Sequence, residues 1–273
     1  MFAKLMSVLS VHLVLQPEQH FLYYDQVPDS EEWRCACKLA TCREVKLRRR
    51  VFGTRIDSEV DARDRYASDR LGRCANAQLD LARLDALEPS GGIYLDLDAF
   101  VLRPLDTWRH CLPSAVFGRG FVHGPDQLST GVVLAAPHAA FLARWRESFR
   151  AYDTRSWDYG VCNGTTQLAS AHPSLVHSAV EFGPLPRYTS RAAYDSHLAA
   201  APIAHLSAFR HPWRLKDVMV HRNLERIWEI IQQSMNSSRA RLARADPALG
   251  ACMQKIAAAC WARPGGRCGI YGA

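Results

Sequence analysis

The sequence predicts a layered α/β fold, and three features of its 273 residues indicate this. Short apolar runs typical of strands alternate with stretches of helical spacing, which favours a sheet covered by helices. Hydrophobic residues make up 48% of the chain and charged residues 22%, so global disorder and a coiled coil are excluded. No apolar run approaches the roughly 18 residues that a spanning helix needs, which excludes a multi-pass membrane protein.

The first elements follow from the N-terminal residues. Residues 1–15 predict an amphipathic core helix that ends before Pro17. The same stretch imitates a signal peptide, but no small-residue cleavage site follows it. The aromatic run 20–25 predicts a buried strand, 31–39 a helix and 43–47 a second strand.

Later elements continue the alternation. The polar stretch 51–73 is typical of a loop with some helix, and 75–87 has helical spacing that ends before Pro89. Next comes a strand over 93–98 that residues 100–102 prolong. The remaining elements are a strand at 132–134 and a helix at 139–152. The composition then shifts to Ala, Arg, Cys and Gly, so we expect one domain over 1–235 and a peripheral tail over 236–273.

The net charge and the cysteine content leave several classes of ligand and more than one compartment open. The net charge of +7 suits an anionic ligand such as a nucleotide, a nucleic acid or a membrane surface. The cluster Arg48–Arg50 is more typical of a solvated loop than of a nucleic-acid patch. The nine cysteines include no C-x-x-C pair, which argues against a zinc ribbon. Cys252, Cys260 and Cys268 fit either a disulfide in an oxidising lumen or free thiols in the cytosol.

The triplet Asp96-Leu97-Asp98 carries the strongest chemical signal. On a continuous strand, side chains two residues apart point the same way, about 6–7 Å apart, so the two carboxylates repel each other. A hard divalent ion relieves this repulsion, keeps several waters and takes its remaining ligands from substrate phosphates. Such an ion neutralises charge on a departing diphosphate. Two solvated acids in a turn are the alternative.

Residues around the triplet strengthen the interpretation. Gly91 and Gly92 allow a tight turn before the strand and leave space for a ligand. Asp80 and Arg83 lie three apart and share a helix face. They are either a surface ion pair or groups that hold a sugar and phosphate oxygens.

Together these residues resemble a known family. The order D-x-x-R, Asp80 to Arg83, followed by G-G-x-Y-x-D-x-D, Gly91 to Asp98, is similar to the glycosyltransferases of family 32, which have a DXD-containing sugar-binding region. This group includes α-1,4-galactosyl- and α-1,4-N-acetylglucosaminyl-transferases. Weaker similarity extends over about residues 1–215. The resemblance implies a GT-A fold, a Rossmann-like central mixed sheet flanked by helices. The chain begins at the helix that follows the family's first strand, so we expect a fold without that strand.

The resemblance also implies roles for single residues. Asp98 coordinates Mn²⁺ or Mg²⁺, and Asp96 serves the ribose and the metal shell; with Arg83 they form the catalytic set. Asp80 and Arg83 hold the donor sugar. The other implied residues are Tyr94 and Gly92 beside the nucleotide, Ser129 and Thr130 where the family has an Asn-Gly pair, and His205 at the metal or diphosphate, with His211-Pro212-Trp213 as the rest of that region.

The sequence thus predicts a metal-dependent retaining hexosyltransferase that uses a nucleotide-sugar, UDP-sugar by resemblance. The acceptor is a hydroxyl of a glycan, glycolipid or protein. No nucleic-acid partner is expected, and membrane association needs an anchor that this chain does not show. The resemblance assigns the Golgi lumen. A non-catalytic nucleotide- or glycan-binding descendant is the alternative, and a basic nucleic-acid module and a two-carboxylate hydrolase rank below it.

Overall fold

The computed structural model describes the chain at residues 2–24, 26–45, 80–110, 114–120, 126–149, 163–183, 191–206, 226–227 and 229–231. Several predicted features lie outside these residues: the arginine cluster 48–50, the loop 51–73, residues 211–213 and the tail 236–273. The predicted boundary at 235/236 therefore stays a prediction. No helix in the described part of the chain is long and apolar enough to cross a membrane.

The chain divides into two compact units. The N-terminal unit consists of Met1–Glu44, Leu97–Leu105 and Arg187–Ala273. The central unit consists of Val45–Asp96 and Asp106–Pro186.

The N-terminal unit begins with the predicted core helix. Helix α1 (Phe2–Ser10) continues as one π-helical turn, Val11–Leu15, which ends at Gln16 with a φ of 46°. Its buried apolar side chains are Leu5, Met6, Val8, Leu9, Val11 and Leu13. The Ser7 hydroxyl donates to the Ala99 carbonyl at 2.6 Å. The helix is therefore part of a core, which is the prediction for residues 1–15.

A parallel β-α-β unit follows. Strand β1 (Phe21–Tyr24) pairs in parallel with β2 (Thr41–Glu44) through helix α2 (Glu31–Leu39). The predicted α2 is confirmed, and β1 is a strand as predicted, but the expectation that it is buried was wrong, since only Leu22 is buried and Tyr23 is exposed. The prediction of β2 at 43–47 was wrong at both ends, because Ala40 is already extended, pairing begins at Thr41 and the strand ends at Glu44. Most of β2 is exposed, so no apolar alternation marks its start.

A short antiparallel pair completes the described part of this unit. Strand β4 (Ala99–Val101) pairs with β8 (Ile203–His205), and all their residues are buried. Helix α7 (Arg191–Ala200) precedes β8. The Arg103 guanidinium donates to the Ala201 carbonyl at 2.9 Å, beyond the end of α7, where unsatisfied carbonyls favour a cation.

The central unit is built on a four-stranded mixed sheet. Its strands are β3 (Gly92–Leu95), β5 (Ala115–Gly120), β6 (Gln127–Ala135) and β7 (Val176–Ala179), in the order β3-β6-β5-β7. The β3–β6 and β5–β6 pairs are antiparallel and the β5–β7 pair is parallel. The sheet is mixed, and the fold is α/β, as predicted. The described strands form three separate sheets rather than one.

Helices of the central unit cover the sheet and seal its core. They are α3 (80–90), α4 (Asp106–His110), α5 (Ala140–Ser148) and α6 (Gly164–Ala171). Phe117 of β5 meets Phe141 and Trp145 of α5 edge-to-face, with ring centroids 5.2 and 5.5 Å apart. All three rings are fully buried. This core holds α3 and β3, which carry the candidate site, because Leu84 and Tyr94 pack against it.

The structure corrects the strand predicted across the D-x-D triplet. Strand β3 ends at Leu95, residues 97 and 98 form a turn, and β4 starts at Ala99. The chain changes partners here, since β3 pairs with β6 and β4 with β8. Alternation along one strand therefore does not determine where the carboxylates of Asp96 and Asp98 point. The prediction of helix α5 at 139–152 was wrong at both ends, since the helix runs over Ala140–Ser148. Helix α3 continues to residue 90, past its predicted end before Pro89.

Candidate functional site

The site starts on α3, where Asp80 and Arg83 lie about one turn apart. Arg83 Nη1 donates to Asp80 Oδ1 at 2.7 Å, and the two side chains are 3% and 2% exposed. The pair is therefore not the surface ion pair that remained open from the sequence. Removing two charges from water is costly, so the guanidinium needs further compensation.

The end of β3 provides that compensation. The Tyr94 hydroxyl donates to Asp96 Oδ1 at 2.8 Å. Arg83 Nη2 donates to the Tyr94 hydroxyl at 3.2 Å and to Asp96 Oδ1 at 3.3 Å. The guanidinium carbon lies 4.2 Å from the centre of the Tyr94 ring, a cation–π contact. Asp80, Arg83, Tyr94 and Asp96 thus form one hydrogen-bonded network, called here the Arg83 network.

Burial and neighbouring charges together shift the pKa values of Arg83 and Tyr94. Burial alone opposes the charged guanidinium, but Tyr94, Asp80 and Asp96 outweigh it and raise the pKa of Arg83 above its usual value. Burial also raises the pKa of the Tyr94 hydroxyl above its usual value, although the charge of Arg83 lowers it in part. Arg83 is therefore a cation and Tyr94 a neutral donor at physiological pH.

The backbone holds the triplet's first acid in place. The N–H of Asp96 donates to the carbonyl of Gly131 in β6 at 2.7 Å. The Asp96 side chain remains 24% exposed, so a ligand can reach it. No sequence signal identifies Gly131 as a partner, because the contact depends on the antiparallel register of β3 and β6.

The triplet's second acid lies in the N-terminal unit beside a histidine. Strand pairing puts Ala99 opposite His205, and the N–H of Leu206 donates to the carbonyl of Asp98 at 3.0 Å. As a result, Asp98 Oδ1 lies 3.4 Å from His205 Nε2. The two side chains are 12% and 5% exposed. The pairing of these two residues was expected only through the resemblance.

The chemistry of these donors fits a divalent cation. Carboxylate oxygen suits Mn²⁺ and Mg²⁺, and imidazole nitrogen is a common ligand for transition metals. Asp96 and Asp98 are two residues apart, so covalent geometry alone keeps their Cα atoms within about 7 Å. Asp98 and His205 are therefore able to hold such an ion.

The two glycines before β3 differ in what they require. Gly91 has a φ of +64°, and a Cβ there would lie 2.6 Å from the backbone nitrogen of Pro137. Gly92 has a φ of +116° but open space around it. Gly91 therefore serves close backbone packing, whereas Gly92, the predicted binding residue, is exposed and has room for a ligand.

The serine and threonine of β6 are buried. Ser129 and Thr130 are 7% and 1% exposed. The Ser129 hydroxyl accepts from the N–H of Gly131 at 3.4 Å, next to the carbonyl that holds Asp96. Their predicted part in donor binding stays a prediction.

Comparisons with known proteins place this site in a family context. The PaToxG Glycosyltransferase structure is 11% identical and aligns over 93% of this chain and 79% of its own, with a TM-score of 0.39. "Glucan organizing enzyme 1" of Cryptococcus neoformans var. grubii is 23% identical over 176 residues, which are 63% of this chain. The chain spans 44% of that protein's length, less than half.

A family model matches the part of the chain that holds the Arg83 network. It is described as "Glycosyltransferase sugar-binding region containing DXD motif" and matches residues 55–112. The match includes the D-x-x-R stretch and the D-x-D triplet, so it confirms the resemblance seen in the sequence. Residues 55–112 therefore match the glycosyltransferase sugar-binding region that contains a DXD motif.

Proposed function

We propose that this chain is a metal-dependent retaining glycosyltransferase of GT-A type. It moves a hexosyl unit from a UDP-sugar to a hydroxyl of a glycan, lipid or protein. The family match supports the reaction class. The observation that carries the proposal is the buried Asp98–His205 pair, which places two ligand atoms 3.4 Å apart at the D-x-D triplet.

The charges of the described residues support separate roles for the Arg83 network and for the Asp98–His205 pair. The Arg83 network contains one cation and two carboxylates, so it has no surplus positive charge for a diphosphate. A divalent cation, when bound, supplies that charge to the leaving diphosphate. Asp98 and His205 would hold the cation, and Asp96 would serve the ribose and the metal shell.

Arg83 has a holding role in this proposal. Both its terminal nitrogens are engaged by Asp80, Tyr94 and Asp96, and its buried Nε has no hydrogen-bond partner among the described residues. Arg83 would therefore fix Asp80 and Asp96 against the donor sugar. The acceptor hydroxyl would attack from the face that the diphosphate leaves, and the departing phosphate would take its proton.

The test is release of UDP from a panel of UDP-sugars with and without Mn²⁺. We expect release that requires the metal, is abolished by a chelator and falls at least a hundredfold in Asp98→Asn, because one anionic ligand is lost. Asp29→Asn is the matched control, since Asp29 is an exposed acid of the same unit. Equal rates for wild type and Asp98→Asn would refute the proposal. UDP binding without turnover would instead indicate a non-catalytic binding protein.

A further inference from the structure

Tyr94 lies between the two charged groups that link α3 to the D-x-D triplet. Its hydroxyl donates to Asp96 at 2.8 Å and accepts from Arg83 at 3.2 Å. The guanidinium carbon of Arg83 lies over its ring, 4.2 Å from the ring centre. The ring also packs against the buried core of the central unit. The side chain is therefore held at its ring and at its hydroxyl.

These contacts engage the groups of Tyr94 that could otherwise bind a nucleotide, its hydroxyl and its ring face. A phenol has one O–H to donate, and Tyr94 donates it to Asp96. Its hydroxyl also accepts from Arg83, and the guanidinium lies over its ring. A direct hydrogen bond from Tyr94 to a ligand would require the Asp96 contact to break.

We infer that Tyr94 is a positioning residue, which acts on the donor through the carboxylate of Asp96 and not by contact with the nucleotide. Within the described residues, Arg83 and Tyr94 both donate their hydrogen bonds to Oδ1 of Asp96. Two donors on one oxygen restrain rotation of the carboxylate and tie Asp96 to the Arg83 network. The 24% exposure of Asp96 provides a ligand with access to it.

This inference rests on the proposed function for its ligand, and the variants follow from the contacts. Tyr94→Phe keeps the ring beneath Arg83 and the core packing, and removes only the hydroxyl. Hydrogen bonds to charged groups are the stronger ones, so we expect UDP in the presence of Mn²⁺ to bind about tenfold more weakly. Tyr23→Phe is the control, because Tyr23 is 39% exposed and lies in the other unit. We expect it to bind UDP as the wild type does.

The deciding experiment is a double-mutant cycle with Asp96→Asn, read by calorimetry with UDP and Mn²⁺. If Tyr94 acts through Asp96, Tyr94→Phe weakens binding tenfold in the wild type and less than twofold in the Asp96→Asn background. If Tyr94 contacts the nucleotide, the full tenfold loss persists in that background, and the inference is overturned. Wild-type affinity in Tyr94→Phe alone overturns it as well.

The same cycle on unfolding without ligand separates this inference from the proposed function. Tyr94 and Asp96 should be coupled in the unfolding equilibrium whether or not UDP binds, by a factor of about five or more. A wild type that binds no UDP refutes the proposed function. Additive effects of the two substitutions on unfolding refute the positioning contact itself.

Discussion

Replacing Asp80 by alanine tests whether the Arg83 network is a buried ionic unit. Arg83 is 3% exposed and Asp80 2%, and their atoms lie 2.7 Å apart. Removing one partner of a buried pair leaves an uncompensated charge, which costs about 3–5 kcal/mol. Asp96 still contacts Arg83 at 3.3 Å, so we expect the low end, about 3 kcal/mol.

The same helix offers a matched control for this prediction. Asp85 pairs with Arg146 at 2.9 Å, but the Asp85 side chain is 71% exposed and that of Arg146 is 35% exposed. Exposed pairs contribute about 0–1 kcal/mol, because water screens the charges and the side chains lose freedom. Asp85→Ala should therefore lower the free energy of unfolding by less than about 1 kcal/mol.

Urea unfolding followed by tryptophan fluorescence measures both variants, since Trp145 is fully buried in the core of the central unit. Adding Arg83→Met to Asp80→Ala should recover part of the loss, because the buried cation is then gone. Equal losses for Asp80→Ala and Asp85→Ala would refute the reasoning. Such a result would mean that the network is solvated.

The remaining predictions concern the turn before β3 and the half-buried His20. Gly91→Ala should destabilise the chain by about 2–4 kcal/mol, which is more than the effect of Gly92→Ala. The reason is that only the Cβ at Gly91 meets backbone, 2.6 Å from the nitrogen of Pro137. Equal urea midpoints for the two variants would contradict this. Burial lowers the pKa of His20 from 6.5 to about 4. Between these pH values the histidine is protonated in the unfolded chain but not in the folded one. The free energy of unfolding should therefore fall by about 2 kcal/mol as the pH drops from 6.5 to 4. Urea titrations should show this loss reduced in His20→Gln but unchanged in His177→Gln, where the histidine is exposed; an unreduced loss in His20→Gln would contradict it.

Local patterns predicted the elements whose signal lies within the element itself. Helix α2 was predicted at its observed bounds, Glu31–Leu39, and the structure adds its cap, because the Ser30 hydroxyl accepts from the N–H of Trp33. The core helix at the N-terminus and strand β1 followed from their apolar spacing. Strand β2 was misplaced because its exposed face gives no alternation, so its position depends on pairing with β1.

Contacts between residues that are distant in the sequence could not be predicted from local patterns. Asp98 and His205 meet because β4 pairs with β8 in one register, and a shift of one residue would turn the side chains to the other face. The resemblance supplied His205 as a candidate, but it did not supply this register. The hydrogen bond from Asp96 to Gly131 depends in the same way on β3 and β6.

The case for a metal changes once the partners of each acid are known. The sequence argument relied on repulsion between Asp96 and Asp98, which a cation would relieve. Asp96 accepts hydrogen bonds from Arg83 and Tyr94, so it has a compensating cation in its own unit, and Asp98 lies beside the imidazole of His205. Repulsion alone therefore does not require an ion. In the proposed function the requirement comes from the substrate: the Arg83 network has no spare positive charge for a diphosphate, and Asp98 and His205 would hold the cation that supplies it.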